Sequence, residues 1–209
     1  MTPLTETSPC KTYRFEASHH SHCVWWTDFH ASNPTVKAAF YTGNTLPPLL
    51  FDACFALVEA NMQDQYNAVD VWDRDEKRAE LLDPQMRFLV LVDHLESVCG
   101  ALIFQFSTEE DADGDWENPI GYCYEIQVRS DCQGLGMGKF MVQWVADICH
   151  GAQMKQLLLT VFKINEQAIK FYLKQGFRID GTSPSNFEDE DGNPLDVNYE
   201  ILSLDLVGP

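Results

Sequence analysis

The sequence predicts a single mixed α/β domain, a central sheet flanked by helices, with an N-terminal arm packed on it. Three observations carry this. The strand-like run Tyr122-Cys-Tyr-Glu-Ile-Gln-Val128 leads into the glycine-rich hexamer Gln133-Gly-Leu-Gly-Met-Gly138, and that hexamer opens a helical periodicity. The run Gln156-Leu-Leu-Leu-Thr-Val-Phe162 is almost continuously apolar, as expected of a parallel strand covered on both faces. At 209 residues and 45% hydrophobic content, the chain has material for one domain with a full core.

The elements follow in order. Residues 1–35 are irregular, and Trp25, Trp26 and Phe29 are expected to pin them to the domain that occupies 36–209. His19-His20-Ser21-His22-Cys23 holds metal-capable side chains, but neighbours point in divergent directions and the spacing is wrong for a closed tetrahedral site. No metal is expected there. Leu50, Phe51, Cys54, Leu57, Val58 and Met62 recur at helical spacing within Pro47 to Gln63, and a charged helix follows over Asp73 to Leu82. Phe88 to Val92 and Ala101 to Phe106 read as antiparallel strands around a turn near Glu96-Ser97. After the glycines, Phe140, Trp144, Val145 and Ile148 share one helix face. Asn165 caps a short helix containing Ala168, Ile169, Phe171 and Tyr172, which ends at Gly176-Phe177. Val197 to Leu206 alternates as a last strand, and no internal repeat or low-complexity tract occurs.

Composition narrows the class. No apolar run has the length of a membrane span, and Met1 to Cys10 lacks the basic and apolar regions of a signal peptide, so an intracellular, soluble protein without membrane contact is expected. The seven cysteines, Cys10, Cys23, Cys54, Cys99, Cys123, Cys132 and Cys149, are odd in number and form no Cys-x-x-Cys; they read as reduced thiols. The net charge of −18, from 32 acids against 14 bases, repels nucleic-acid phosphates and steers basic partners inward. Plain solubility explains the same charge. The runs Glu109 to Asp115 and Glu188 to Asp191, each just ahead of a strand, favour a cationic partner.

Glycines allow φ > 0 and close backbone approach, and the first N–H groups of a helix have no intrahelical partner. A strand, glycine loop and helix in that order therefore suit a pyrophosphate. The Rossmann spacing is not met, and Lys139 is not followed by the Ser or Thr of a Walker loop. An ordinary glycine-rich turn stands as the other reading of the hexamer.

The pattern Gln133-x-x-Gly136-x-Gly138 resembles the acetyl-CoA pyrophosphate loop of the GNAT N-acetyltransferases. The order strand, glycine loop, helix, strand, Asn165-x-x-Ala168-x-x-Phe171-Tyr172 helix and Gly176-Phe177 strand is similar to their core. The resemblance implies the GNAT fold, with a mixed central sheet of about six to seven strands between helices. Leu81 to Asp83, Tyr122-Cys-Tyr-Glu125, Leu159-Thr-Val-Phe162, Ser183-Pro-Ser185 and Tyr199-Glu-Ile-Leu-Ser203 are similar to the NatD-type N-alpha-acetyltransferases of histone H4 and histone 2A. Asn61-Met62, Tyr66, Trp72 and the charged run Asp73 to Arg78 add to this likeness.

What the resemblance implies is direct acetyl transfer in a ternary complex, from acetyl-CoA to a tail beginning Ser-Gly-Arg-Gly. The partners would be the basic N-terminal tails of histone H4 and histone 2A. The enzyme would be a monomer without an auxiliary subunit, cytoplasmic and nuclear, using no metal. An N-terminal amine has a pKa of about 8 and needs only modest help to lose its proton. Simple alternation sets Tyr122, Tyr124 and Ile126 on one face of the strand and Cys123, Glu125 and Gln127 on the other. A bulge, common in this strand of the family, would re-aim Tyr124 and Glu125 toward one cleft. Glu125 is then the candidate base and Tyr124 orients the amine; a solvated strand-face carboxylate is the other reading of Glu125. Tyr172 takes the position of the thiol-protonating tyrosine, though a packed helix face explains it equally.

Backbone N–H groups near Gln127 and Val128 would polarise the thioester carbonyl. Arg129 to Phe140, including Gln133, Gly134, Leu135, Gly136, Met137, Gly138 and Lys139, would hold the pyrophosphate, and Asn165 would meet the pantetheine end. Tyr66, Trp72, Tyr122, Thr160, Ser183 and Tyr199 would line the peptide groove. The family's strand-end aspartate falls near Ser107 here, so Asp111 and Asp113 of the inserted acidic loop are the candidates for reading the substrate arginine. A GNAT acting on polyamines or another cationic small molecule, or a non-catalytic acidic histone-binding module, would also suit the charge.

Overall fold

Six apolar or half-apolar residues in a row make Arg87–Val92 (β2) a strand that must be covered on both faces, and Phe88, Leu89, Val90 and Leu91 are all buried. Its partner Val98–Glu110 (β3) returns after a turn fastened by one side chain. Asp93 Oδ1 accepts the N–H groups of Leu95 and Ser97 at 2.9 and 3.0 Å, and Glu96 takes φ 58° at the tip. In this computed structural model the described residues are 29–69, 71–110, 117–193, 195 and 197–206. The expected anchors Trp25 and Trp26, the His19 to Cys23 cluster, and Asp111 and Asp113 lie outside them.

Seven strands form one sheet in the order β1-β2-β3-β4-β5-β7-β6, where β1 is Lys37–Thr42, β4 Glu117–Val128, β5 Gln156–Phe162, β6 Arg178–Ile179 and β7 Tyr199–Asp205. Neighbours are antiparallel except β4 and β5, which are parallel and joined by the helix Met137–Gly151 (α3). β1 is the strand that periodicity does not reveal. It sits at the sheet edge, and Ala38 and Ala39 give it little strand signal. β3 and β4 both run well past their apolar centres, forming a long hairpin whose outer part is polar.

Helix Pro48–Ala68 (α1) extends a turn beyond the expected Gln63, and Arg74–Leu81 (α2) begins where Asp73 accepts the N–H groups of Asp75 and Glu76. Helix Glu166–Lys174 (α4) is capped by Asn165, whose Oδ1 accepts from Ala168 N–H at 3.1 Å.

Two cores lie on opposite faces of the sheet. Phe51, Cys54, Phe55 and Val58 of α1 pack on Phe88, Val90, Ala101 and Ile103, while Phe140, Met141, Trp144 and Val145 of α3 pack on Leu102, Phe104, Leu157 and Leu159. β3 alternates between the two, and each large side chain so buried stabilises the fold by about 1.5–3 kcal/mol. Phe29 is buried as expected and stacks on Phe140 with centroids 4.0 Å apart. The five described cysteines are buried free thiols. No helix among the described residues is long and apolar enough to cross a membrane.

Candidate active site

The site begins with an irregularity in β4. Pairing with β3 runs from Gly100↔Val128 to Ile103↔Glu125 and resumes at Phe104↔Cys123, so Tyr124 is the extra residue of a bulge. Plain alternation gives way here to a bulge of the kind the family resemblance implied. Tyr124 and Glu125 both face α1 and α2, together with Tyr122 and Gln127, while Cys123, Ile126 and Val128 pack toward α3.

Glu125 is 4% exposed. Its Oε2 accepts from Gln127 Nε2 at 2.8 Å, and Gln127 Oε1 accepts from Asn61 Nδ2 at 2.9 Å, so a chain of amides from α1 sets the carboxylate plane. Lys77 Nζ of α2 stands 2.8 Å from Oε1, yet that oxygen accepts no well-directed hydrogen bond among the described residues. Lys77 also pairs with Glu80 at 2.7 Å and lies 5.6 Å above the Tyr66 ring. Burial pulls the Lys77 ammonium down, but the adjoining Glu125 carboxylate, with Tyr66 and Glu80, outweighs it and holds the group above an ordinary lysine. Burial, then the Glu125 charge, pushes Tyr66 up to about 12. Burial likewise raises Tyr122, Tyr124 and Tyr172, so all these phenols are neutral near pH 7.

Gly134 and Gly136 adopt φ 77° and 84°, and an added Cβ at either would meet nothing within 4 Å. The loop is thus an open concavity in the left-handed conformation that glycine alone takes without strain. Phe140 N–H donates to Gly136 O at 2.9 Å, which leaves the N–H groups of Met137, Gly138 and Lys139 ahead of the first helical bond. Gln133 Nε2 donates to Val128 O at 3.2 Å and Asn33 Nδ2 to Leu135 O at 3.1 Å, tying the loop to β4 and to the segment before β1.

β4 and β5 pair only from Ile120↔Gln156 to Cys123↔Leu159 and then separate. Arg129 N–H donates to Cys99 O, so by strand alternation the N–H groups of Ile126 and Val128 point away from β3 into the gap. A cleft of about 860 Å³ fills this wedge and joins the glycine loop to α1, α2 and α4. Tyr122 Oη and Thr160 Oγ1, 2.6 Å apart, bridge its floor.

The acetyltransferase (GNAT) family model matches residues 51–177, which contain this wedge and loop. The chain belongs to that family. Solved structures of the same fold include the ribosomal-protein-S18-alanine N-acetyltransferase of Escherichia coli, at 17% identity and TM-score 0.54, covering 83% of this chain and 96% of that one. An aminoglycoside 6'-acetyltransferase type Ii aligns at 13% identity and TM-score 0.58, covering 83% and 99%. An aminoglycoside 6'-N-acetyltransferase complexed with coenzyme A aligns at 12% and 0.57, covering 81% and 98%.

Within the GNAT wedge the structure gathers Tyr66, Tyr122, Tyr124, Glu125, Gln127, Val128, Gln133, Gly134, Gly136, Met137, Gly138, Lys139, Thr160, Asn165 and Tyr172 along one surface. Several expected site residues stand apart. Arg129 does not line the cleft; it braces the loop from behind, bonded to Asp93, Asp131 and Val98 O. Phe140 is a core side chain, 2% exposed, whose N–H is used within α3. Leu135 projects outward, 52% exposed. Ser183 is fully buried behind β7, donating to Glu200 and accepting from Ile201 N–H. Trp72 meets the cleft only through Tyr66, 5.4 Å between centroids, and Tyr199 only through its strand partner Phe162.

Sequence reasoning missed the roles of Asn61 and Lys77. Both lie in stretches legible as helix, but no spacing signal says that α2 sets Lys77 beside the Glu125 carboxylate while α1 sets Asn61 on Gln127, which holds that carboxylate. Among the described residues no cluster of three or more His, Cys, Asp or Glu could hold a metal.

Proposed function

We propose that this GNAT acetyltransferase moves an acetyl group from acetyl-CoA to the N-terminal amine of basic tails beginning Ser-Gly-Arg-Gly, those of histone H4 and histone 2A. The observation that carries the reading is Glu125: a buried carboxylate with one oxygen held by Gln127 and the other beside Lys77, in the lining of a cleft that also holds the glycine cradle. The cradle fits a pyrophosphate, with three N–H groups at a helix start, two open left-handed glycines and Lys139 at the lip. Acetyl-CoA supplies the activated acetyl group.

This chain's residues account for the proton movements. Glu125 takes a proton from the entering ammonium, directly or through water, leaving a neutral amine to attack the thioester carbon. Gln105 Nε2 donates to Tyr124 Oη at 2.7 Å and so presents that phenol to the cleft. The N–H groups of Ile126 and Val128 face the space where the carbonyl oxygen gains charge. The neutral Tyr172 phenol gives its proton to the departing sulfur as the carbon–sulfur bond breaks, and the proton released from the acetylated nitrogen restores the balance.

Specificity follows from the walls. Tyr66 packs between Trp72 and the edge of Phe162, with centroids 5.4 and 5.0 Å away, narrowing the entrance to suit a small second residue. Glu80 at the lining and the net charge of −18 favour an arginine further along. The expected setting is the cytoplasm and nucleus, with the enzyme acting as a monomer.

The test is mass-resolved acetylation of a Ser-Gly-Arg-Gly peptide, the same peptide with a blocked N-terminus, and spermidine. Acetylation of the free α-amine alone supports the reading. Modification of spermidine in preference, or of lysine on the blocked peptide, replaces it with a small-cation or side-chain GNAT.

A further inference from the structure

The glycine loop is held from outside by a side chain 102 residues earlier in the chain. Asn33 closes the helical turn over residues 29–32, just ahead of β1; its N–H donates to Phe29 O at 2.8 Å and its carbonyl accepts from Val36 N–H at 3.1 Å. Phe29 and Val36 are buried in the α3 core and fix the segment there. Asn33 is buried with them, and its Nδ2 donates to Phe29 O at 3.2 Å and to Leu135 O at 3.1 Å. Both partners are backbone carbonyls, which only accept, so the amide can face them in one orientation, with both of its protons used.

Leu135 stands between Gly134 and Gly136, whose φ values are 77° and 84°. In a trans peptide the carbonyl and the following N–H point in opposite directions. With Leu135 O turned to Asn33, Gly136 N–H points the other way, and it is Gly136, not Leu135, that lines the cleft. The next carbonyl, Gly136 O, accepts from Phe140 N–H at 2.9 Å. Both peptides flanking Gly136 thus turn their oxygens away from the cradle, and Gly136 N–H joins those of Met137, Gly138 and Lys139 as a nest of donors. Glycine takes φ of either sign at little cost, so the peptide between Leu135 and Gly136 can turn over unless something outside the loop holds it. Turned over, it would set a carbonyl oxygen where a phosphate oxygen belongs.

We propose that Asn33 is a positioning residue for the cofactor: by holding Leu135 O on the outside of the loop it keeps Gly136 N–H aimed into the pyrophosphate cradle. The proposal rests on the reading of the loop as that cradle and is independent of which amine is acetylated. Asn33 touches no ligand itself. It lies outside the residues 51–177 that the family model matches, so a segment ahead of the shared core completes the cofactor site of this chain.

The test is equilibrium binding of acetyl-CoA and of S-acetylpantetheine, which carries the thioester arm without the pyrophosphate, to the wild-type chain, Asn33→Leu and Asn33→Asp. Leucine keeps the volume and removes the donors, while aspartate keeps the shape and sets an acceptor against the carbonyls of Phe29 and Leu135. Each variant should weaken acetyl-CoA roughly 10- to 100-fold, the worth of one hydrogen bond to a charged group, and leave S-acetylpantetheine within about twofold. An equal loss for both ligands means a general loosening of the wedge, and an unchanged acetyl-CoA affinity means that the loop keeps its shape alone; either overturns the proposal. A wild-type chain that binds the two ligands equally well removes the cradle reading, and the proposal with it. Should neither variant fold, amide spectra of the wild-type chain titrated with inorganic pyrophosphate decide. The Gly136 N–H signal should move downfield together with those of Met137 and Gly138, and a Gly136 signal that stays in place while the others move overturns the proposal.

Discussion

Tyr124 and Glu125 are adjacent in the chain and face the same side of the sheet, because the β3–β4 register slips by one residue between them and Cys123. Were the strand regular, one of the two would point into the α3 core. The bulge therefore gives the cleft a phenol and a carboxylate side by side, at the cost of one unpaired ladder position.

Removing the charge of Glu125 tests its role directly. Glu125→Gln should lower turnover by roughly 100-fold or more while acetyl-CoA affinity changes little, since the cradle is on the other side of the wedge. Activity should return in part at high pH, where free amine is abundant. Wild-type turnover at neutral pH would shift the base to Tyr124.

Gly136 holds φ 84° at the start of α3, in open space. Gly136→Asp should cost about 1–2 kcal/mol in backbone strain and set a carboxylate in the anion cradle. Calorimetry should find acetyl-CoA binding lost with the melting transition only modestly lowered. An unchanged affinity would remove the loop from the cofactor site.

Gly121 lies where β4 passes closest to α3. A Cβ there would stand 2.3 Å from Cys149 Sγ, so Gly121→Ala should destabilise by about 1–3 kcal/mol. Cys149→Ala in the same chain should restore most of that loss, a coupling visible in a double-mutant cycle by urea melts. Purely additive effects would mean that the contact is not the cause.

Stability should fall in alkali. Burial pushes the thiols of Cys54 and Cys149 up to about 12 in the fold, and Tyr66, through burial and then Glu125, to about 12. A group whose folded pKa is raised stabilises fully below its unfolded pKa, and that contribution is lost as pH rises through the folded one. The window is thus about pH 9 to 12 for the thiols and about 10 to 12 for Tyr66, each group contributing up to about 1.4 kcal/mol per pH unit. Urea midpoints at pH 7, 9 and 10.5 should decline, and Cys54→Ala/Cys149→Ala should flatten the decline. An identical slope in that variant would place the sensitivity elsewhere.

Trp72 supports Tyr66 at the cleft entrance without lining it. Trp72→Ala should admit peptides with a larger second residue while leaving kcat on Ser-Gly-Arg-Gly within a few fold. Unchanged selectivity would confine the steric filter to Tyr66 and Phe162.

Local signals in the chain announced most of this architecture. Apolar periodicity marked α1, α3 and α4, continuous burial marked β2 and β5, and Gln133 to Gly138 between a strand and a helix marked the cradle, because these features depend on neighbours a few residues away. Tertiary structure alone decided the rest. Ser183 and Phe140 carry plausible site chemistry yet are consumed by Glu200 and Phe29, partners remote in sequence. The face of Glu125 depends on a one-residue slip against β3, and its ion pair on Lys77, forty-odd residues earlier on a helix whose own sequence specifies only that it is charged. Register and long-range ion pairs are set by which surfaces exclude water together, and that information belongs to the packed chain as a whole.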